Sequence, residues 1–343
     1  MKAIVIHGAG DLRVEDCDVT PVGPNQVRIR LAIGGICGSD LHYFNHGGFG
    51  DVKLKEPMIL GHEVAGHITE LGTNVDHLSI GQLVAISPSR PCGICRYCSE
   101  GKQNHCLNMR FYGSAMPFPH IQGAFRETLV ADANQCATAD GLTPSEAAAA
   151  EPLAVCLHAV RRAGSLVGKR VIVTGCGPIG IFCILSARCA GAEQIVATDL
   201  EAFPLEMAKR AGATEVINIK TDPSGLAPLS SEKGTFNTLF ECSGSPSALA
   251  AGIEALRPGG QIMQLGLGGD MIVPVQKLTA KELSLIGSFR FHEEFFTGVE
   301  LMKQGALDVK PFITQTFELR DAMDAFRTAG DRSSAIKTQI AFS

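Results

Sequence analysis

At 343 residues the chain is too long for one ordinary hydrophobic core, so two domains are expected. Hydrophobic residues make up 45% and aromatics 6%, with no tryptophan, which suits tightly packed α/β layers rich in Val, Ile, Ala and Gly. The formal net charge is −5 and no Lys/Arg run exceeds two residues, which argues against a nucleic-acid surface.

The segment Met1 to His7 is too short and too soon interrupted for a signal peptide, and the longest apolar stretch, near Pro178 to Ala187, is far below a membrane span. A soluble, cytoplasmic protein with no membrane partner is therefore expected. In a reducing compartment its 12 cysteines serve as metal ligands or free thiols rather than disulfides.

Along the chain, Val27-Arg28-Ile29-Arg30-Leu31-Ala32-Ile33 alternates with the period of a strand, after the turn Pro21-Val22-Gly23-Pro24-Asn25. Residues 36–46 predict a helical turn carrying Cys37 to His42. Residues 61–86 read as strands broken by Gly66, Gly72 and Gly81, as in a small barrel. The character changes near Thr143. Residues 145–150 are helix-forming, and an apolar helix continues over 151–163. From Lys169 the pattern becomes strand–turn–helix, with strands at Arg170-Val171-Ile172-Val173-Thr174, 194–199, 214–218, 238–242 and 261–266. That alternation predicts a parallel, doubly wound sheet. Residues 221–234 read as a loop with a helical piece at most. Beyond Gly287 the strand rhythm gives way to helices that return to the first domain.

Three clusters carry chemistry. Cys92-x2-Cys95-x2-Cys98-x7-Cys106 offers four soft thiolates in one short lobe, which satisfies a closed, tetrahedral, structural Zn²⁺. An iron–sulfur cluster is the rival, but its bacterial ferredoxin pattern has a shorter last gap and a proline after the fourth cysteine, which Cys106 lacks. Cys37, His62 and Glu63 offer one soft, one borderline and one hard donor, the mixed set of a catalytic zinc with an open fourth position. Zinc there acts as a Lewis acid on an alcohol. Asp40 is expected to accept a hydrogen bond from the His62 ring and orient it. Glu151, before Pro152, is expected to face the metal as a ligand or as the holder of a water.

Gly175-x-Gly177-x-x-Gly180 follows a Val/Ile strand and opens a helix, the context of a dinucleotide site with the pyrophosphate on the helix N-terminus. Asp199 ends the next strand, where a carboxylate accepts from the adenosine ribose hydroxyls. A 2′-phosphate would meet that charge unfavourably, and Leu200 rather than Arg follows. NAD is therefore expected over NADP.

The segments Gly35-Ile36-Cys37-Gly38-Ser39-Asp40-Leu41-His42 and Gly61-His62-Glu63-Val64-Ala65-Gly66, the cysteine lobe and Gly175-Cys176-Gly177-Pro178-Ile179-Gly180 together resemble the zinc-containing medium-chain dehydrogenase/reductases, over essentially the whole chain. His62-Glu63 with the later Glu151-Pro152 is similar to the polyol branch, which includes sorbitol, xylitol and threonine dehydrogenases. Glu151-Pro152-Leu153-Ala154-Val155 and Gly287-Ser288-Phe289-Arg290-Phe291 resemble members that act on sugar acids.

The resemblance implies an α/β protein with a β-rich, GroES-like catalytic domain from residues 1–147 and 288–343, bearing the zinc lobe at about 88–110, and a Rossmann NAD-binding domain over 148–287. It implies two zinc ions per chain, NAD, a small sugar acid or polyol as substrate, an active site in the cleft, and a homodimer or homotetramer joined through the Rossmann sheets. Catalytic roles fall on Ser39, His42 and Glu151, with a proton relay through Ser39, the nicotinamide ribose and His42. Cofactor contacts fall on Gly175, Gly177, Pro178, Ile179, Gly180, Asp199, Leu200, Leu265, Ser288 and Arg290. Arg290 is also the candidate for a substrate carboxylate; cofactor phosphate or packing is the alternative. A protein that binds zinc and NAD without catalysis is the remaining class, against which the intact Cys37, Ser39, His42, His62 and Glu63 count.

Overall fold

The computed structural model describes residues 1–342. The chain forms two compact units. One comprises Met1–Glu151, His292–Asp331 and the chain from Lys337 onward; the other comprises Pro152–Phe291 and Arg332–Ile336.

The first unit is built on a sheet of seven strands. Six run in the order Cys136–Thr138, Leu83–Ile86, Glu63–Leu71, Gln26–Gly35, Lys337–Ala341 and Ile313–Glu318, and Thr128–Asp132 also pairs with Gln26–Gly35. In Gln26–Gly35 the alternation does its usual work: Val27, Ile29 and Leu31 are buried, and they join Val64, Ile68, Val84, Phe125, Phe326 and Ile340 in one core. Each such side chain stabilises the unit by roughly 1.5–3 kcal/mol on burial.

Beyond Gly287 two strands escape sequence prediction. The chain does form the helices Glu294–Lys303 and Ala322–Gly330 there, but it also adds the strands Ile313–Glu318 and Lys337–Ala341. The second of these is buried from Lys337 to Ile340 although Lys337, Thr338 and Gln339 are polar. No apolar alternation announces it, because its inward side chains bond rather than pack. Gln339 donates to the Ser145 carbonyl at 2.9 Å, and Lys337 reaches Glu63.

The helix Gly38–His46 follows the central strand directly. Asp40, its third residue, reaches back to the Cys37 amide at 3.0 Å, half of a capping box, and Gly47 at φ 67 ends it in the left-handed conformation. Farther on, Thr143 caps the short helix Pro144–Ala148, accepting from the Glu146 amide at 3.3 Å. The helix Ala150–Ala163 then crosses from one unit to the other between Glu151 and Pro152.

The second unit holds six parallel strands in the order Glu215–Asn218, Gln194–Asp199, Arg170–Thr174, Phe236–Glu241, Leu256–Gln264 and Ser284–Gly287. In chain order this is 3-2-1-4-5-6, the doubly wound Rossmann arrangement. Val171, Ile172, Val173, Ile195, Val196 and Ala197 are buried, as strands covered on both faces require. No helix among the described residues is long and apolar enough to cross a membrane.

Candidate active site and cofactor site

In the first unit, Cys37 ends the loop that leads into Gly38–His46; Glu63 begins the strand Glu63–Leu71 and His62 immediately precedes it. Pairing of Gly35 with Glu63 lays these two segments side by side. Gly35 has to lack a side chain, because a Cβ there would overlap the Glu63 carboxylate. The Cys37 sulfur, a His62 ring nitrogen and a Glu63 oxygen consequently lie within 4.8 Å of one another. This spread suits donors arranged around one ion.

Asp40 does not play the part expected of it. Its Oδ1 is 3.8 Å from His62 Nδ1, too far for a hydrogen bond, and the carboxylate instead accepts from the backbone amides of Cys37 (3.0 Å) and Gly61 (3.2 Å). Asp40 thus fixes the two backbone segments that carry the donors, rather than the imidazole. His62 Nδ1 is buried with no hydrogen-bond partner.

Lys337, a residue that no motif marks, completes the cluster. Its ammonium donates to both Glu63 oxygens at 2.8 Å and to the Ile36 carbonyl at 3.0 Å, which uses all three of its protons. The signal available was a lone lysine in the mixed segment Ala335-Ile336-Lys337-Thr338-Gln339-Ile340.

The electrostatics favour a cation. Burial pushes the Cys37 thiol up to about 12, Glu63 adding to it while Lys337 and a Ser39 hydrogen bond oppose it. Burial raises Asp40 as well, and lifts Glu151 to about 8. The Glu63 and Glu151 carboxyl groups and the Cys37 thiol thus share one buried lysine, with the buried Asp40 carboxyl nearby. With a soft, a borderline and a hard donor converging, the set fits a divalent zinc-type ion. Glu151 lies outside the three-atom group, although it interacts with His62, Glu63, Cys37 and Lys337. Ser39 and His42 stand one turn apart on Gly38–His46, both partly exposed, with the His42 ring 5.7 Å from that of Phe49.

The four lobe cysteines also converge within 4.8 Å. Cys95 is 3.6 Å from Cys98 and 4.0 Å from Cys106, sulfur to sulfur. Ligands about 2.3 Å from one tetrahedral zinc would be separated by about 3.8 Å. The cage of an iron–sulfur cluster would hold its thiolates much farther apart. Backbone amides point at the sulfurs, with Cys92 N 3.2 Å and Asn108 N 3.4 Å from Cys106 Sγ. A backbone bond from Ile94 brings the Cys92 thiol down to about 6, whereas burial lifts Cys98 to about 12. All twelve cysteines are free of disulfides.

In the second unit Gly175 turns at φ 85, and Gly177 precedes the helix Pro178–Cys189, with Pro178 at its first position and Ile179 and Gly180 in its first turn. A Cβ on Gly180 would overlap the Gly175 carbonyl, so only glycine permits this packing. Thr174, Gly175, Asp199, Leu200, Ser243 and Ser245 help line a groove of about 200 Å³. Asp199 accepts from the amides of Cys176 (2.7 Å), Leu200 (2.7 Å) and Glu201 (3.0 Å). Leu265 hydrogen-bonds through its amide to Glu241, outside the groove lining. Ser288 bonds through its amide to Gln264 and keeps a buried hydroxyl without a partner. Arg290 takes φ 55, in the left-handed region, with its guanidinium 4.9 Å above the Phe289 ring.

A GroES-like β unit with a mixed thiol–imidazole–carboxylate cluster, a cysteine lobe and a Rossmann unit define a zinc-binding, nicotinamide-linked dehydrogenase. Residues 23–141 match the alcohol dehydrogenase GroES-like domain, and residues 178–304 match the zinc-binding dehydrogenase domain. The chain belongs to the zinc-dependent alcohol and polyol dehydrogenase family. It is 41% identical over 320 residues to L-idonate 5-dehydrogenase (NAD(P)(+)) of Escherichia coli strain K12, covering 93% of this chain and 92% of that one. It is 36% identical over 343 residues to sorbitol dehydrogenase of Gallus gallus, covering 98% and 95%. The crystal structure of the Escherichia coli L-idonate 5-dehydrogenase superposes with a TM-score of 0.95 at 38% identity, covering 99% of this chain and 97% of that one.

Proposed function

We propose that the protein oxidises a secondary hydroxyl of a sugar acid with NAD⁺, the substrate being L-idonate and the product 5-dehydro-D-gluconate. The observation that carries the proposal is the convergence of Cys37, His62 and Glu63 in a chain 41% identical to L-idonate 5-dehydrogenase. Those three residues hold the reactive zinc, and Cys92, Cys95, Cys98 and Cys106 hold the structural one. The bound zinc supplies Lewis acidity towards an alcohol oxygen, and the nicotinamide supplies the hydride acceptor.

The chain's own residues do the rest. Glu151, buried beside the donor set, orients a water or hydroxyl there. Ser39, bonded to the Cys37 sulfur, takes the alcohol proton, because a hydroxyl both accepts and donates; His42, one turn along the helix, holds it at the solvent end. Asp199 accepts the adenosine ribose hydroxyls and disfavours a 2′-phosphate, while Gly177, Pro178, Ile179 and Gly180 present the helix N-terminus to the pyrophosphate. Leu200, Leu265 and Ser288 complete the cofactor contacts.

Arg290 reads the substrate's carboxylate. Its left-handed backbone costs a non-glycine residue about 1–3 kcal/mol, and such residues cluster at ligand clamps. A neutral polyol is the second reading, favoured by the likeness to sorbitol dehydrogenase. NADH absorbance with L-idonate, sorbitol, xylitol and threonine decides between them. A kcat/KM for L-idonate about tenfold or more above the others supports the sugar acid, and the reverse order removes it.

Assembly as a homo-oligomer in the cytoplasm completes the proposal. The Rossmann sheet ends at Ser284–Gly287, an edge strand with Leu285 exposed, and Ile272 and Val275 in the preceding segment are exposed too. A second copy pairing along that edge would cover both the backbone and the apolar side chains.

A further inference from the structure

The strands Arg170–Thr174 and Phe236–Glu241 are neighbours where the strand order of the Rossmann sheet turns back. Open α/β sheets bind their ligands at the carboxyl ends of such a pair. Thr174 and Glu241 are the last residues of these two strands and face each other in register. Glu241 is fully buried. No lysine, arginine or histidine forms an ion pair with it among the described residues.

Every hydrogen bond to its carboxylate comes from a neutral donor. The Ser243 amide donates at 2.9 Å, the Gly244 amide at 3.1 and 3.2 Å, Gln264 Nε2 at 2.7 Å and Thr174 Oγ1 at 3.4 Å; the Ser243 hydroxyl donates as well. The Glu241 carbonyl accepts from the amides of Leu265 (2.9 Å) and Gly266 (2.8 Å). One residue therefore ties together the ends of three strands. The Ser243 hydroxyl passes the order on, accepting from the Ser245 amide at 3.1 Å. Thr174, Ser243 and Ser245 all line the groove. The fit is tight, since a Cβ on Gly175 would press against Ser243 at 2.8 Å.

We propose that Glu241 is the positioning residue of the dinucleotide groove, holding Thr174 and the Ser243–Ser245 turn in the shape that receives the cofactor; this rests on the reading of this unit as the NAD site. A buried carboxylate answered only by neutral donors is a costly element for stability alone, and a fully satisfied polar network specifies one geometry.

The test is calorimetric titration of the full-length, zinc-loaded protein with NAD⁺, alongside steady-state kinetics and thermal melting. Glu241→Gln keeps the shape but turns an acceptor into a donor facing other donors. It raises the Kd and KM for NAD⁺ about tenfold or more, with zinc content, substrate KM and kcat at saturating NAD⁺ nearly unchanged. Gln264→Met removes one donor from a residue outside the groove lining and raises the same constants by about threefold. A lowered melting temperature with unaltered NAD⁺ affinity in either variant overturns the role, and Gln264→Met decides alone if Glu241→Gln does not fold. Wild-type protein that bound no NAD⁺ would instead overturn the function assigned above.

Discussion

Lys337 and Glu63 are locked to each other across 274 residues of sequence, with the ammonium 2.8 Å from both carboxylate oxygens. Their side chains are 2% and 1% exposed. Burial works against the lysine's charge, but Glu63 and the Cys37 thiol outweigh it and hold its pKa above the ordinary value. The third proton goes to the Ile36 carbonyl, next to Cys37. The last strand of the first unit is thereby tied to both segments that carry the metal donors.

Lys337→Met should therefore cost about 3–5 kcal/mol, because it leaves Glu63 buried without its partner. Urea denaturation measures this. The double variant with Glu63→Gln should recover part of the loss, since the two changes are coupled. A single variant as stable as wild type would contradict the coupling.

Ser39→Ala should lower kcat by about a hundredfold or more, with zinc content per chain unaltered. Metal analysis on the same preparation separates lost proton transfer from lost metal. Undiminished turnover would remove Ser39 from the proton path.

Asp199→Ala should raise the KM for NAD⁺ by about tenfold and shrink the preference for NAD⁺ over NADP⁺. The carboxylate also braces the glycine turn through Cys176, so part of the effect falls on both cofactors. The ratio of the two kcat/KM values is what reports the ribose contact, and an unchanged ratio counts against it.

Arg290→Gln should lower kcat/KM for L-idonate by about tenfold or more while leaving sorbitol nearly untouched, because only the sugar acid carries a carboxylate for a paired hydrogen bond. Equal losses on both substrates would assign Arg290 to the cofactor or to packing.

Cys98→Ser should release the structural ion and leave one zinc per chain by elemental analysis, with a lower melting temperature. Retention of two would mean that the lobe does not hold zinc.

Much of this was legible in the sequence because it lies in local patterns. The Val/Ile run at Arg170–Thr174 and the strand Gln194–Asp199 are read to the residue, since burial on both faces leaves an unbroken apolar signature. The convergence of Cys37, His62 and Glu63, and of the four lobe cysteines, is legible from residue type and spacing. Other features depend on partners far away in the chain. The strand Lys337–Ala341 lacks an apolar pattern because its inward residues are polar and bond across the unit. Asp40 lies close in sequence to the donor Cys37, which suggests an imidazole partner among the donors, yet the local geometry of the helix start turns its carboxylate to backbone amides. Glu241 looks like an ordinary strand end until Ser243, Gly244 and Gln264 close around it.

The central claim is that zinc held by Cys37, His62 and Glu63 is required for hydride transfer to NAD⁺. Its most direct test is NADH formation from L-idonate, followed together with zinc per chain, while a chelator strips the zinc that has an open fourth position and Zn²⁺ is then returned. Activity should fall in step with loss of the first zinc and come back on its return. NADH formation that continued with zinc left only in the cysteine lobe would contradict the account.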